Sequence, residues 1–270
     1  MKFKGIPAVL LRKTALFTGC VLLLISSCKR TETLETLSLE ELIPLQVGKY
    51  ITYRLDSLVF TNSGKLTEVH RYQIKHTIDR QSVDNQNRPT WVVVTYINDS
   101  TGIGPWVRNG TYTITPVDKR LEVTENNLRV IKINLPSRVG FTWKGNAYLP
   151  DRPFNPEYPI SIDANMSLWD FQFETVSASE TVGSNQLNDV TTIFHIDESE
   201  NVPLIGRRDT SFASREFSIE KYAKNIGLVY REFELWENQP RPKTSGNPPQ
   251  ISYDPVRIGF GIKMWMIDKN

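Results

Sequence analysis

The chain of 270 residues carries 32 Lys+Arg against 30 Asp+Glu, which gives a formal net charge of +2. Hydrophobic residues make up 39% of it and charged residues 23%, a composition typical of folded globular proteins that excludes a wholly disordered chain. The charge is too evenly balanced for a nucleic-acid-binding protein, so we expect no nucleic-acid partner.

Residues 1–27 have the features of a bacterial export signal. Four basic residues and no acidic residue occur there, and an apolar stretch covers residues 15–25. A membrane-spanning helix needs about 20 apolar residues, so this stretch is too short for one. The segment is therefore predicted to be a signal peptide.

The signal ends in the sequence Leu24-Ile25-Ser26-Ser27-Cys28. An aliphatic residue, two small residues and a cysteine resemble the lipobox of bacterial lipoproteins. That resemblance implies cleavage between Ser27 and Cys28 and acylation of the Cys28 thiol and the new amino group. The alternative is an ordinary signal peptide that happens to contain a cysteine.

Cleavage would change the charge and the thiol content of the chain. It would leave 28 Lys+Arg against 30 Asp+Glu, a net charge of −2, and would remove Cys20. With Cys28 acylated, the mature chain would have no free thiol and no disulfide. This excludes a cysteine nucleophile and a thiolate metal site.

Residues 28–43 are predicted to be a lipidated tether. Ser38 and Glu41 have capping-box spacing, so one helical turn before Pro44 and a disordered spacer are both open. Bacteroidota lipoproteins sent to the cell surface carry an acidic cluster after the cysteine, and Lys29-Arg30-Thr31 stands there instead. By this resemblance we expect an outer-membrane anchor with the domain facing the periplasm.

From residue 44 onward, apolar and polar residues alternate with a period of two, which predicts β-strands. In the segment 68–79, His70, Tyr72 and His76 fall on the apolar face. In the segment 190–197 one face carries Val190, Thr192, Phe194 and Ile196, and the other carries Thr191, His195 and Asp197. We count roughly ten to twelve strands, and no long amphipathic helical run competes with them.

Turn residues separate these strands. Asn109-Gly110 has the two-residue hairpin pattern, and Asn126-Asn127 and Asn62-Ser63-Gly64 also stand between strands. Consecutive short hairpins indicate an antiparallel meander. Two proline-rich stretches, 149–159 and 238–250, interrupt it. They are expected to be solvated connectors, with a functional or mobile loop as the alternative.

The motifs of common enzyme and metal sites are absent from the sequence. His70 and His76 lie six residues apart, which is roughly 20 Å along a strand, so they cannot bind one metal ion. No nucleophile elbow, phosphate-binding glycine loop, metalloprotease motif or calcium loop occurs. We expect no catalytic residue, no metal, no cofactor and no enzyme activity.

Paired carboxylates and aromatic residues leave two alternatives open. Glu232 and Glu234 share a strand face beside Tyr230 and Trp236, so they could serve a glycan hydrolase or simply cover an exposed face. The six tryptophans pack a core, or they line an apolar hollow of a curved sheet. The candidates for ligand-facing residues are His70, Tyr72, His76, Trp143 and Trp169.

Three segments carry a family resemblance. They are PLQVGKYITY (44–53), VGFTWKGN (139–146) and YAKNIGLVYRE (222–232). Together with the lipobox they resemble a group of Bacteroidota outer-membrane lipoproteins of unknown function. That group is in turn similar to periplasmic lipoprotein carriers, whose half-barrel curves around an apolar cavity. The resemblance supplies no catalytic residue.

The sequence thus predicts a signal peptide (1–27), a lipidated tether (28–43) and one all-β domain (44–270), a strongly curved antiparallel sheet or open barrel. The leading hypothesis is a non-catalytic envelope lipoprotein, attached to the membrane by its lipid anchor, that binds an apolar small molecule or an envelope protein. The alternatives are a structural or assembly subunit of an envelope complex and a glycan hydrolase.

Overall fold

Fourteen strands and two short helices form the regular structure of residues 36–203 and 210–270, which are the residues described by the computed structural model. The helices are α1 (Leu39–Leu42) and a 3₁₀ helix (Ile162–Leu168). In chain order the strands are β1 (Tyr50–Thr61), β2 (Leu66–Val83), β3 (Pro89–Asp99), β4 (Val107–Val117), β5 (Arg120–Glu125), β6 (Leu128–Asn134), β7 (Thr142–Lys144), β8 (Asp170–Val182), β9 (Asn185–Glu200), β10 (Ala213–Ala223), β11 (Gly227–Gln239), β12 (Pro242–Ser245), β13 (Gln250–Tyr253) and β14 (Val256–Lys269).

Twelve of these strands make one antiparallel sheet in the order β6-β5-β4-β3-β2-β1-β14-β11-β10-β9-β8-β7. The sheet is nearly closed into a barrel, which confirms the predicted fold class. β12 and β13 form a separate two-stranded ribbon between β11 and β14. The predicted signal peptide, cleavage site at Ser27 and lipidation site at Cys28 lie outside the described residues.

The two edge strands, β6 and β7, approach each other and nearly close the sheet. The amide of Ile131 on β6 donates to the carbonyl of Gly145 at 2.8 Å, and the Trp143 indole donates to the Ile131 carbonyl, also at 2.8 Å. A side chain at Gly145 would place its Cβ 2.3 Å from the ring of Phe171. Glycine is therefore required where the edges meet.

Most predicted turns are present. Asn126 and Asn127 turn β5 into β6 with φ angles of 50° and 63°, and Asn62 to Gly64 join β1 to β2 with φ angles of 50°, 55° and 82°. These left-handed conformations are the ones that asparagine and glycine tolerate best. The asparagine and glycine residues at these positions therefore determine where the two hairpins turn.

The hairpin predicted at Asn109-Gly110 is wrong. Both residues lie inside the continuous strand β4, which pairs with β3. The pairing register shifts here, because Gly110 stands opposite Thr95 whereas Arg108 stands opposite Tyr96, so Asn109 is an extra residue. The asparagine-glycine pair thus specifies a β-bulge in place of a turn.

α1 forms as the capping box at Ser38 predicts. The Ser38 hydroxyl accepts from the Glu41 amide at 3.2 Å, and the Glu41 carboxylate accepts from the Ser38 amide at 2.8 Å. Leu39 and Leu42 are buried in the main hydrophobic core. Residues 36–43 therefore pack as part of the domain, and the compact unit begins at Thr36.

Candidate ligand-binding cavity

The inner face of the sheet encloses a cavity of about 380 Å³. Strands β1, β2, β11 and β14 form one part of its wall through Leu55, Ile74, Phe233 and Ile262, and β5 and β6 form another. Small-molecule sites in proteins typically occupy about 300–1,000 Å³. The space inside this sheet is thus large enough for one small ligand.

Two smaller spaces of about 70 Å³ each adjoin the same interior. One lies beside residues 43–51, which follow α1, and the other lies among Tyr112, Glu220 and Arg231. His76 lines all three spaces. The three spaces are therefore neighbours that share His76 as a wall residue.

The proline-rich stretch 149–159 closes part of the cavity, in contrast to the solvated connector expected there. The Phe154 ring lies 5.3 Å from Phe260 and 6.0 Å from Phe233, and the Tyr158 ring lies 5.0 Å from Phe260. Leu149 and Ile160 are buried at its two ends. The loop is built of turns, in which the amides of Asn155 and Tyr158 donate to the carbonyls of Arg152 and Phe154 at 3.2 and 2.8 Å, and its aromatic side chains pack inward.

The second proline-rich stretch, 238–250, behaves as a connector. Much of it belongs to the ribbon β12–β13, in which every residue is exposed. The ribbon is attached through Asp254, which forms ion pairs with Lys243 at 2.6 Å and with Lys65 at 2.8 Å. It contributes no residue to the wall of the main cavity.

A charged cluster lies on the cavity wall. Lys132 on β6 forms an ion pair with Glu220 on β10 at 2.6 Å, and the Tyr222 hydroxyl donates to the same carboxylate at 2.7 Å. Burial raises the pKa of Glu220, but the charges of Lys132 and Arg231 outweigh it and lower this pKa to about 2. Glu220 is therefore an anion at neutral pH.

Two histidines face the same interior. The His76 ring lies between Tyr53 and Tyr112, with Nδ1 at 3.1 Å from the Tyr112 hydroxyl. The His195 ring stacks on Phe171 at 3.6 Å, with Nδ1 at 2.7 Å from the Ser218 hydroxyl. Burial lowers the pKa of both histidines to about 3, so both are neutral at pH 7.

His195 is a cavity residue that the sequence pattern assigned to the opposite face. The pairing between β9 and β10 shifts here, since Ser218 stands opposite Ile196 whereas Ile219 stands opposite Phe194. Before this bulge, Ile193 stands opposite Glu220 and Thr191 opposite Tyr222, which both face the interior, so the odd positions of β9 point inward and include His195. The bulge then brings Ile196 inward as well, opposite Ser218, so the even positions of this segment indicated the wrong face for His195.

The five predicted ligand-facing residues fall into three groups. His76 and Trp169 line the cavity. Trp143 is buried where the edges of the sheet meet, with its indole bonded to Ile131. Tyr72 and His70 share the inward face of β2 with His76 but lie nearer the β1–β2 turn, where His70 pairs with Glu68 at 2.9 Å.

The paired glutamates of the hydrolase alternative lie on the other face of β11. Phe233 lines the cavity, so its neighbours Glu232 and Glu234 point away from it. Glu232 accepts from the Tyr230 hydroxyl and pairs with Lys263 at 3.4 Å, and Glu234 accepts from the Trp236 indole at 3.0 Å. Each carboxylate thus bonds to neighbouring side chains on the outer face of the sheet.

Within residues 36–203 and 210–270, no group of three or more His, Cys, Asp or Glu side chains is arranged to hold a metal ion. In the same ranges, no helix has the length and apolar character needed to cross a membrane.

No family model matches the sequence, and no curated protein matches it. Among solved structures, the chain is similar to a protein from Bacteroides fragilis described as exported and having a YmcC-like fold. That likeness has 12% identity and a TM-score of 0.37 and covers 83% of this chain and 96% of the other. The chain is also similar to a domain from Vibrio parahaemolyticus described as an outer-membrane lipoprotein-sorting protein. Here the identity is 9% and the TM-score 0.15, covering 83% and 85% of the two chains.

Proposed function

We propose that this protein is a non-catalytic lipoprotein of the cell envelope that binds one small, largely apolar molecule inside its β-sheet. The observation that carries the proposal is the cavity of about 380 Å³ on the inner face of the sheet. Its wall includes Phe233, Phe260 and Trp169, and such aromatic surfaces favour an apolar guest because contact with it removes both from water.

The binding test uses a neutral apolar dye, N-phenyl-1-naphthylamine, whose fluorescence rises when it leaves water. The protein is the mature-length chain 28–270 with the substitution Cys28→Ser, which contains every residue of the compact unit from Thr36 onward. The dye is expected to bind with a stoichiometry of one.

A matched pair of variants locates the dye. Leu128 lines the cavity at the start of β6, and Leu128→Trp fills part of the space. Leu66 is exposed at the start of β2, so Leu66→Trp is the control. We expect several-fold weaker dye binding only for Leu128→Trp, and equal binding by both variants would refute the cavity as the binding site.

The lipid anchor is the second part of the proposal. It rests on the lipobox ending at Cys28 and on the absence of any other cysteine from residues 28–270. In a bacterial host, the full chain is expected to gain the mass of an acylated cysteine and to fractionate with outer membranes. The variant Cys28→Ser is expected to accumulate as the uncleaved precursor, and cleavage that is unaffected by this change would contradict lipoprotein processing.

One surface favours the alternative of an assembly subunit. The ribbon β12–β13 is exposed throughout and carries Ile251, which is 68% exposed. Exposed apolar side chains on a projecting ribbon are suited to a protein partner. A photo-crosslinking amino acid at position 251 tests this alternative in cells. One recurrent stoichiometric partner would support it, and the absence of any adduct would count against it.

A further inference from the structure

Arg231 places a guanidinium cation in the wall of the cavity. Its guanidinium carries five N–H donors, yet it makes no hydrogen bond to any residue of the ranges 36–203 and 210–270. The nearest carboxylate oxygens lie 3.5 Å away on Glu220 and 3.7 Å away on Glu125. Charged hydrogen bonds of this kind measure about 2.7–2.9 Å, so neither carboxylate accepts a hydrogen bond of ordinary length from Arg231.

Glu220 is already bound by other groups. Lys132 approaches one of its oxygens at 2.6 Å, and the Tyr222 hydroxyl donates to the other at 2.7 Å. The only other carboxylate in an ion pair with Arg231, among the described residues, is Glu125, whose side chain is 49% exposed. Water screens such a carboxylate strongly. Arg231 therefore brings a positive charge into the cavity that the wall balances poorly.

A second unused polar group lies in the same wall. His195 is 3% exposed, and its Nε2 atom has no hydrogen-bond partner among the described residues. Its ring is fixed by stacking on Phe171 and by the contact of Nδ1 with Ser218. When the Ser218 hydroxyl donates to Nδ1, Nε2 carries the proton and is a donor. A buried donor without a partner costs stability unless a ligand satisfies it.

The remaining wall has an apolar part, and it also includes the charged residues Lys132, Glu125 and Glu157. Phe233, Phe260 and Ile262 line the same cavity as Arg231 and His195. A guest that contacts all of these groups needs a hydrocarbon body and one hydrogen-bond acceptor. The planar fork of an arginine fits a carboxylate or a phosphate best, because two parallel N–H groups can reach two oxygens.

We propose that the cavity binds an amphipathic small molecule with one anionic group, which Arg231 holds together with His195 while the hydrocarbon body contacts Phe233, Phe260 and Ile262. The inference rests on the proposed function and specifies its ligand class. The anionic group is either a carboxylate, as in a fatty acid, or a phosphate ester, as in a phosphorylated lipid.

Calorimetric titration of the chain 28–270 carrying Cys28→Ser tests this ligand class with three probes of equal chain length: dodecanoate, dodecyl phosphate and 1-dodecanol. Both anions are expected to bind about tenfold or more tightly than the alcohol, the gain that a charged hydrogen bond gives. The tighter anion identifies the head group.

The outcomes separate this inference from the proposed function. Equal affinity for all three probes would overturn the anion site and leave an apolar binding cavity standing. Binding of none of them, together with no binding of the neutral dye, would overturn both. These comparisons use the parent chain, so they do not depend on whether a variant folds.

The variant Arg231→Gln tests whether Arg231 is the residue that causes the preference for anions. We expect about tenfold weaker binding of dodecanoate and unchanged binding of 1-dodecanol. Arg71→Gln is the control, because Arg71 is 57% exposed on the other face of the sheet and its loss changes the net charge equally. Equal losses for the acid and the alcohol in Arg231→Gln would show a structural effect and contradict the assignment.

Discussion

The indole of Trp143 is the side chain that joins the two edges of the sheet. It is buried against Phe171 and Phe173, with ring centroids at 5.9 and 5.1 Å, and it donates to the Ile131 carbonyl. Its place in the fold is therefore structural, at the meeting of β6 and β7.

Replacing Trp143 with Phe keeps an aromatic ring but removes this hydrogen bond and part of the buried surface. We expect Trp143→Phe to lower the free energy of unfolding by about 1–3 kcal/mol, since the Ile131 carbonyl loses its indole donor. Urea denaturation followed by circular dichroism measures the change. A variant as stable as the parent would show that the indole hydrogen bond contributes nothing to stability.

The two neutral histidines make stability depend on pH. Burial lowers the pKa of His195 from 6.5 to about 3, so the unfolded chain binds a proton in this interval that the folded chain does not. The contribution is fully present above pH 6.5 and is lost progressively as the pH falls toward 3. His76 adds an effect of the same sign.

The variant His195→Gln removes the proton that the unfolded chain binds at this histidine. Between pH 6 and 4 its free energy of unfolding is expected to fall less steeply than that of the parent, by about 1.4 kcal/mol per pH unit. Above pH 7 the two curves are expected to run parallel. Urea titrations across this range measure both slopes, and parallel curves at acid pH would contradict the buried neutral state.

At the residue scale, the sequence predicted individual inward-facing side chains more readily than the site they form. His76 and Trp169 were predictable because they follow the alternation or the aromatic pattern of their segments. His195 was not, because the pattern indicated the even positions of its segment as the inner face, whereas the odd positions Thr191 and Ile193 point inward with it. Glu220 and Arg231 stand opposite each other on the consecutive strands β10 and β11, but Lys132 of the cluster lies on β6, far away in the chain, so no local spacing reveals its contact with Glu220.

At the scale of single elements, α1 is the segment whose stability depends most on packing. Its four residues are too few for a helix stable in isolation, so it depends on its cap and on the burial of Leu39 and Leu42. The Glu41 carbonyl also accepts from the Asn225 amide at 2.6 Å, which joins the helix to the turn before β11.

The substitution Leu42→Ala tests whether this segment belongs to the folded domain. Leu42 is 0% exposed, so truncation is expected to lower the free energy of unfolding by about 2–5 kcal/mol in urea denaturation. Glu40→Ala, at an exposed position of the same helix, is expected to change it by less than about 0.5 kcal/mol. Equal stability of the two variants would mean that residues 36–43 are only a spacer.

Strands and turns differ in how far local pattern predicts them. Alternation predicts the strands well because one face of the sheet is buried, and paired asparagines set the β5–β6 turn. The pair Asn109-Gly110 forms a bulge because β3 continues alongside it and offers pairing partners on both sides. The stretch 149–159 packs inward because of Phe154 and Tyr158, whose partners on β11 and β14 are remote in sequence.

At the scale of the whole molecule, the strand count and the antiparallel order of neighbours follow from consecutive short hairpins. The near-closure of the sheet does not follow from these hairpins, because it depends on pairings between segments that are distant in the chain. β1 pairs with β14, as in Thr52 opposite Asp268, and the edges meet at Ile131 and Gly145. These contacts require a sheet that is twisted and curved, and together they enclose the interior.

The interior of the sheet is proposed above as the binding site for one amphipathic molecule. Native mass spectrometry of the chain 28–270 with Cys28→Ser, exported to a bacterial periplasm by the cleavable signal peptide of a soluble host protein and studied before and after organic extraction, tests this binding. We predict a species heavier than the bare chain by the mass of one lipid-sized anion, which extraction removes and added dodecanoate restores. The bare mass in all three samples would contradict the account.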